Sequence, residues 1–217
     1  MENNIIKNMR HDIEQLTTIL RQKNIDLQSF IEIGSRDGHD TNYIKHYWNL
    51  DDSKCFIIEA HPGCYEYIST TYPQYPALNI AASDKTEIIE FNAGIIGVEK
   101  NVGVSSVLNR TIDEFISNRV KIDAWRMDEV MEYTKIDSID FAKIDVEGYA
   151  LQVLRGFGEK LKNFKALQIE LETKQVWDDQ SYYSDVVEYL HNYDFKILHE
   201  VKLDEYQTDV LFIKNNL

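Results

Sequence analysis

From Leu27 onward, short apolar runs alternate with longer stretches of helical periodicity, and no other feature of the chain restricts its fold as strongly. The runs at 29–33, 54–59, 77–81, 87–92, 140–145, 165–170, 195–200 and 209–213 predict strands. The stretches at 39–49, 62–71, 127–133, 149–156 and 181–192 predict helices. Strands that are apolar throughout and followed by helices require cover on both faces, the situation of a mostly parallel α/β sheet. The last two strands have only a short connection around Tyr206 and Gln207, which predicts an antiparallel hairpin. Without repeats or low-complexity segments, and with only three prolines, residues 28–217 read as one domain. Ahead of it, residues 1–27 carry a predicted helix over 3–24. There Ile5, Ile6, Met9, Ile13, Leu16, Ile19 and Leu20 form one apolar stripe. That helix would pack on the domain, cap its site or make a homodimer contact.

The segment FIEIGSRDG at 30–38 is an apolar strand ending in a glycine-bounded turn. Gly34 would let the chain leave the strand sharply, and Gly38 would let the backbone approach a ligand. Ligands of open α/β sheets bind beyond the carboxyl ends of the strands, although a plain strand-to-helix turn has the same appearance. The spacing is G-x-x-x-G rather than the G-x-G-x-x-G of dinucleotide sites. That counts against an NAD(P)-dependent oxidoreductase, whose pyrophosphate needs close backbone approaches at a helix N-terminus. Glu32 stands where it would accept a hydrogen bond from a ligand ammonium group. The second strand ends in Glu59, whose carboxylate can accept both hydroxyls of a ribose. Asp84, closing Ala81-Ala82-Ser83-Asp84, is placed to meet an adenine amino group or to cap a turn.

The richest segment is IDFAKIDVEG at 139–148. Charges inside an apolar strand are costly unless paired, so Lys143, Asp145 and Glu147 call for partners or for a function. Asp145 and Glu147 fall at the strand's carboxyl end. The strand that follows ends in Glu170-Leu171-Glu172, with both acids on one side by the two-residue period. Asp145, Glu170 and Glu172 could hold Mg²⁺, because carboxylate oxygens suit hard cations.

GSRDG at 34–38, EAHP at 59–62, AASD at 81–84, GVSS at 103–106, RMDE at 126–129, KIDVEG at 143–148 and LRGF at 154–157 occur in this order. Together they resemble the FkbM family of methyltransferases over roughly residues 28–175. The resemblance implies a Rossmann-like class I methyltransferase fold: a seven-stranded, mostly parallel sheet with a C-terminal antiparallel hairpin and helices on both faces. It also implies S-adenosylmethionine as donor and transfer to a hydroxyl, typically of a sugar in a glycan or of a glycosylated small molecule. By position, Glu32, Gly34, Ser35, Gly38, Glu59, Ala60, Ser83, Asp84 and Asp145 would bind the cofactor. Asp145 and Glu147 would border the acceptor. Family members often carry E-P-N-P where this chain has Glu59-Ala60-His61-Pro62, and Ala-Asn where it has Ser35-Arg36. Those departures leave Arg36 and His61 without an assigned role. Methyl transfer is an in-line displacement on an already activated donor, so the protein mainly aligns the reactants and removes a proton. Asp145 is the expected base or acceptor anchor, with Glu147 and Lys143 beside it and His61 in reserve.

A net charge of −14 without any run of basic residues excludes general nucleic-acid binding. No stretch approaches the roughly 20 apolar residues of a membrane span. The polar, acid-interrupted N-terminus is no signal peptide, so a cytoplasmic location is expected. Cys55 and Cys64 fit no zinc or redox spacing. Acceptor recognition falls to 1–27, 93–126 and 173–185, which carry no readable signature. Trp125, Arg126, Trp177, Tyr182 and Tyr183 could stack on a sugar there or belong to the core. A non-catalytic module that keeps a nucleoside pocket is the reading different in class.

Overall fold

The computed structural model describes residues 13–97, 102–113 and 115–217. Ile5, Ile6 and Met9 of the predicted N-terminal helix lie outside the described residues; residues 13–22 are helical (α1). The main sheet has the order β3-β2-β1-β7-β8-β10-β9. Its strands are β1 (Phe30–Ile33), β2 (Cys55–Ile58), β3 (Ala77–Leu78), β7 (Phe141–Ile144), β8 (Ala166–Glu172), β9 (Phe195–Lys202) and β10 (Gln207–Lys214). The first five are parallel neighbours, whereas β10 runs antiparallel to both β8 and β9. The expected sheet and its terminal hairpin are therefore present.

A second, three-stranded sheet was not foreseen. It joins β4 (Ala81–Ser83), β6 (Ser117–Arg126) and β5 (Glu87–Gly94) in the order β4-β6-β5. The predicted strand 77–81 splits to build it: Ala77–Leu78 stays on β2 while Ala81–Ser83 turns away to β6. Between the two, the Asn79 side-chain amide donates to the carbonyls of Glu59 and Ala60. β6 escaped detection because only Ile122 and Ala124 of its ten residues are buried, so no apolar run marks it.

The alternation of β-strand side chains assigns each face of the main sheet to a layer. Ile31, Ile33, Ile144, Leu167, Ile169 and Phe212 face α4 (Met127–Thr134), α5 (Ala150–Phe157) and α6 (Tyr183–His191). Phe30, Ile57, Phe141, Leu211 and Ile213 face α1 and α2 (His39–Trp48), where Leu16, Leu20, Ile44 and Trp48 complete the packing. This second face is apolar only in its lower half. Towards the carboxyl ends of the parallel strands the same register carries Glu32, Lys143, Gln168, Glu170 and Asp209. Burying each large aliphatic below them contributes about 1.5–3 kcal/mol, which offsets the desolvation of the polar row above. No described helix is long and apolar enough to cross a membrane.

Candidate functional site

A cavity of about 290 Å³ opens above that polar row. Its floor is formed by the turn after β1, the end of β2, and the upper residues of β7 and β8. Ile13 of α1 reaches its rim, so the N-terminal helix both packs on the sheet and borders the cavity.

Gly34 leaves β1 at φ 79°, and a Cβ there would lie 1.7 Å from the Asp145 carbonyl oxygen. The ends of β1 and β7 thus meet with no room for a side chain. Ser35 Oγ accepts from the Gly38 N–H at 3.0 Å and closes the turn. Gly38 does not line the cavity; its φ of 74° and the Tyr72 ring, 2.9 Å from a hypothetical Cβ, explain the glycine instead.

Glu59 lines the cavity and accepts from the Arg36 and His61 N–H groups, each at 2.7 Å and on a different oxygen. Burial pushes its carboxyl pKa up, and those two backbone donors work against the rise. Each oxygen keeps a lone pair for a further donor. Glu32, expected beside the ligand, is 1% exposed and absent from the cavity wall. One of its oxygens accepts from both the N–H and the hydroxyl of Thr41, so it ties β1 to α2. Burial and the Asp40 charge raise its pKa to about 8.

Lys143 sits among three carboxylates: Asp40 at 2.7 Å, Asp145 at 3.8 Å and Glu32 at 4.0 Å. Burial works to lower its pKa, but these acids outweigh it and hold the ammonium charged. For Asp40 burial is likewise overcome by Lys143, and its carboxyl falls below the usual range. Asp145 lines the cavity with its pKa raised, chiefly by burial.

Oxygens of Asp145, Glu147 and Glu170 lie within 4.8 Å of one another. The Gln207 amide donates to Glu147 at 3.2 Å and to Glu170 at 2.6 Å, holding the pair in place. Burial, then the Asp145 charge, raises the pKa of Glu147 and Glu170 well above the ordinary value. The carboxylate expected to complete this group, Glu172, is replaced by Glu147. Glu172 follows on the same face of β8, fully buried, with burial raising its pKa to about 7.

Other expected residues are engaged elsewhere. His61 caps α3 (Pro62–Thr71): Nδ1 accepts from the Gly63 and Cys64 N–H groups, while Nε2 lies 2.8 Å from the Gly94 carbonyl and must carry the proton. Neither nitrogen is left to act as a base. Ser83 pairs with the Tyr149 hydroxyl at 3.2 Å, and it is Tyr149 that reaches the cavity. Asp84 is not on the wall, and its carbonyl accepts from Arg126. Trp177 is fully buried against Gly148, Trp125 packs edge-on against Tyr133, and Tyr183 donates to Glu200. The GVSS segment does contribute, with Gly103 and Ser105 on the wall and Ser106 donating to the Glu147 carbonyl at 2.7 Å. Gln168, Gln207 and Asp209 went unrecognised, although the two-residue period along β8 and β10 aligns them with Glu170.

A model of the FkbM methyltransferase domain matches residues 32–197. Among solved structures, the methyltransferase FkbM from Methylobacillus flagellatus KT superposes with a TM-score of 0.55 at 14% identity. The match covers 86% of this chain and 44% of that one, so the matched part spans less than half of that protein's length. Magnesium protoporphyrin IX methyltransferase from Synechocystis PCC 6803, with bound SAM, gives 0.55 at 8% identity over 98% of this chain and 83% of that one. Likeness at such identities establishes the fold. No curated protein matches the sequence.

Proposed function

This chain belongs to the FkbM methyltransferase domain family, and from that premise we propose that it moves the methyl group of S-adenosylmethionine to a hydroxyl, of a sugar in a glycan or glycosylated small molecule. The observation that carries the reading is one cavity bordered by the Glu59 carboxylate at one end and by Asp145, Glu147 and Glu170 at the other. A nucleoside fits the first end. Glu59 has acceptor capacity for ribose hydroxyls, Gly34, Ser35 and Ala60 allow close approach, and Ala81, Ala82 and Tyr149 offer a largely apolar wall to an adenine.

The acidic end suits the acceptor. A hydroxyl must lose its proton as its oxygen attacks the methyl carbon and the carbon–sulfur bond breaks. The Asp145 carboxylate, kept near Lys143, would orient that hydroxyl and take the proton. Lys143 is a positioning residue, committed to Asp40. His61 drops out as the reserve base.

The test is thermal unfolding with S-adenosylhomocysteine and, separately, NAD⁺. A ligand at one hundred times its Kd stabilises by about 2.7 kcal/mol, and only S-adenosylhomocysteine is expected to do so. Transfer of a labelled methyl group to a panel of sugars would follow. No shift with S-adenosylhomocysteine sinks the reading, and binding without turnover would leave a non-catalytic nucleoside module.

A further inference from the structure

We propose that Asp145, Glu147 and Glu170 bind a divalent metal ion of the Mg²⁺ or Mn²⁺ type at the acceptor end of the cavity. The three carboxylates come from the end of β7, the turn behind it and β8, and bring oxygens within 4.8 Å of one another. That bound does not exceed the distance across an ion with metal–oxygen bonds of about 2.4 Å. Small rotations of the side chains close it to the shorter bonds of Mg²⁺.

A second observation is independent of the cluster. Gln168 and Glu172 flank Glu170 on the same face of β8, 1% and 0% exposed. The Gln168 Oε1 has no hydrogen-bond partner, and Gln168 lines this same cavity. A buried oxygen without a donor is costly, and a cation with its bound water supplies what the Gln168 oxygen lacks.

Two of the neighbouring cations have nearer partners than this cluster, while Arg36 also lines the cavity. Lys143 lies 2.7 Å from Asp40, and Arg110 pairs with Asp113 while lying over the Trp177 ring. Gln207 donates to Glu147 and Glu170 from one side and leaves their remaining oxygens to the cavity. An all-oxygen donor set without sulfur or imidazole selects hard cations. The ion's role rests on the methyl-transfer reading: it would coordinate the acceptor oxygen and aim it at the methyl carbon. Its binding does not depend on that reading.

The experiment titrates Mn²⁺ into the chelator-treated full chain and follows the electron paramagnetic resonance signal of free Mn²⁺. One ion is expected to bind per chain and to be displaced by Mg²⁺. Glu170→Gln and Glu147→Gln, both isosteric, should each weaken it at least tenfold, while Glu66→Gln on the exposed face of α3 should not. Circular dichroism would confirm that the variants fold. No binding at about 10 mM Mn²⁺ overturns the site, as does undiminished binding in both cavity variants. Stabilisation by an amine such as glucosamine in place of Mn²⁺ would likewise overturn it, showing an organic-cation pocket. Thermal shifts with S-adenosylhomocysteine on the same samples separate the two readings. A shift without Mn²⁺ binding removes only the metal, and Mn²⁺ binding without a shift removes only the methyl transfer.

Discussion

Two strand-end acids that look alike in the sequence, Glu32 and Glu59, have opposite fates. Glu59 borders the cavity, whereas Glu32 is consumed by Thr41, nine residues on, and no local pattern announces that pairing. The same limit applied to His61, whose ring hydrogen bond to Gly94 depends on a distant strand. Gly34 was legible because only a residue without Cβ can pass the Asp145 carbonyl. Glu32 also yields a pH prediction. Its folded pKa of about 8, raised by burial and by Asp40, exceeds the value near 4.3 of an unfolded chain. The folded state therefore keeps a proton that the unfolded state releases. Its contribution to stability is complete below about pH 4.3 and is lost as pH rises through about 8. Urea unfolding between pH 5.5 and 8.5 should show Glu32→Gln declining less with pH than the parent, by up to about 1.4 kcal/mol per unit. Parallel curves would refute it.

At the scale of elements, the main sheet could be read because its central strands are buried on both faces, and the hairpin because its connection is short. The second sheet could not, since β6 presents most of its side chains to solvent and β4 begins inside an apparent strand. The segment between β5 and β6 carried GVSS at 103–106 without a physical role for it, yet it latches the acceptor end. Ser106 donates to the Glu147 carbonyl at 2.7 Å and accepts from the Leu108 N–H at 3.0 Å. Glu147 itself sits at φ 50°, a conformation that costs a residue with a Cβ about 1–2 kcal/mol. Ser106→Ala should then cost about 1–3 kcal/mol by stranding a buried carbonyl. With Glu147 released, methyl transfer should fall by tenfold or more while S-adenosylhomocysteine affinity stays within twofold. Helix α1 is tested separately: Leu16 is fully buried, so Leu16→Ala should cost about 2–5 kcal/mol in urea unfolding. A loss under 1 kcal/mol would show that the helix is not docked in solution.

For the whole molecule the question is how the two sheets act as one body, and the L-x-G of LRGF at 154–157 supplies the answer. The motif was recognisable in the sequence but carried no physical reason there. A Cβ on Gly156 would stand 1.9 Å from the Ser83 carbonyl oxygen of β4 and 3.2 Å from the Met127 nitrogen. Helix α5 therefore packs on the small sheet backbone to backbone, while its other side covers β8 in the large sheet. The same joint reaches the cavity, because Tyr149 at the start of α5 pairs with Ser83 and lines the wall. Gly156→Ala must push α5 away from β4 and cannot be relieved by a rotamer change, since the obstacle is main chain. Overpacking of this kind costs about 1–3 kcal/mol. The urea midpoint should fall accordingly, with S-adenosylhomocysteine binding weakened about tenfold as Tyr149 moves with the helix. If the sheets form one cooperative unit, tryptophan fluorescence and far-ultraviolet circular dichroism will still report a single shared transition in the variant. Two separated transitions in the parent protein would show instead that the small sheet unfolds alone, and the joint at Gly156 would then hold the site without holding the fold.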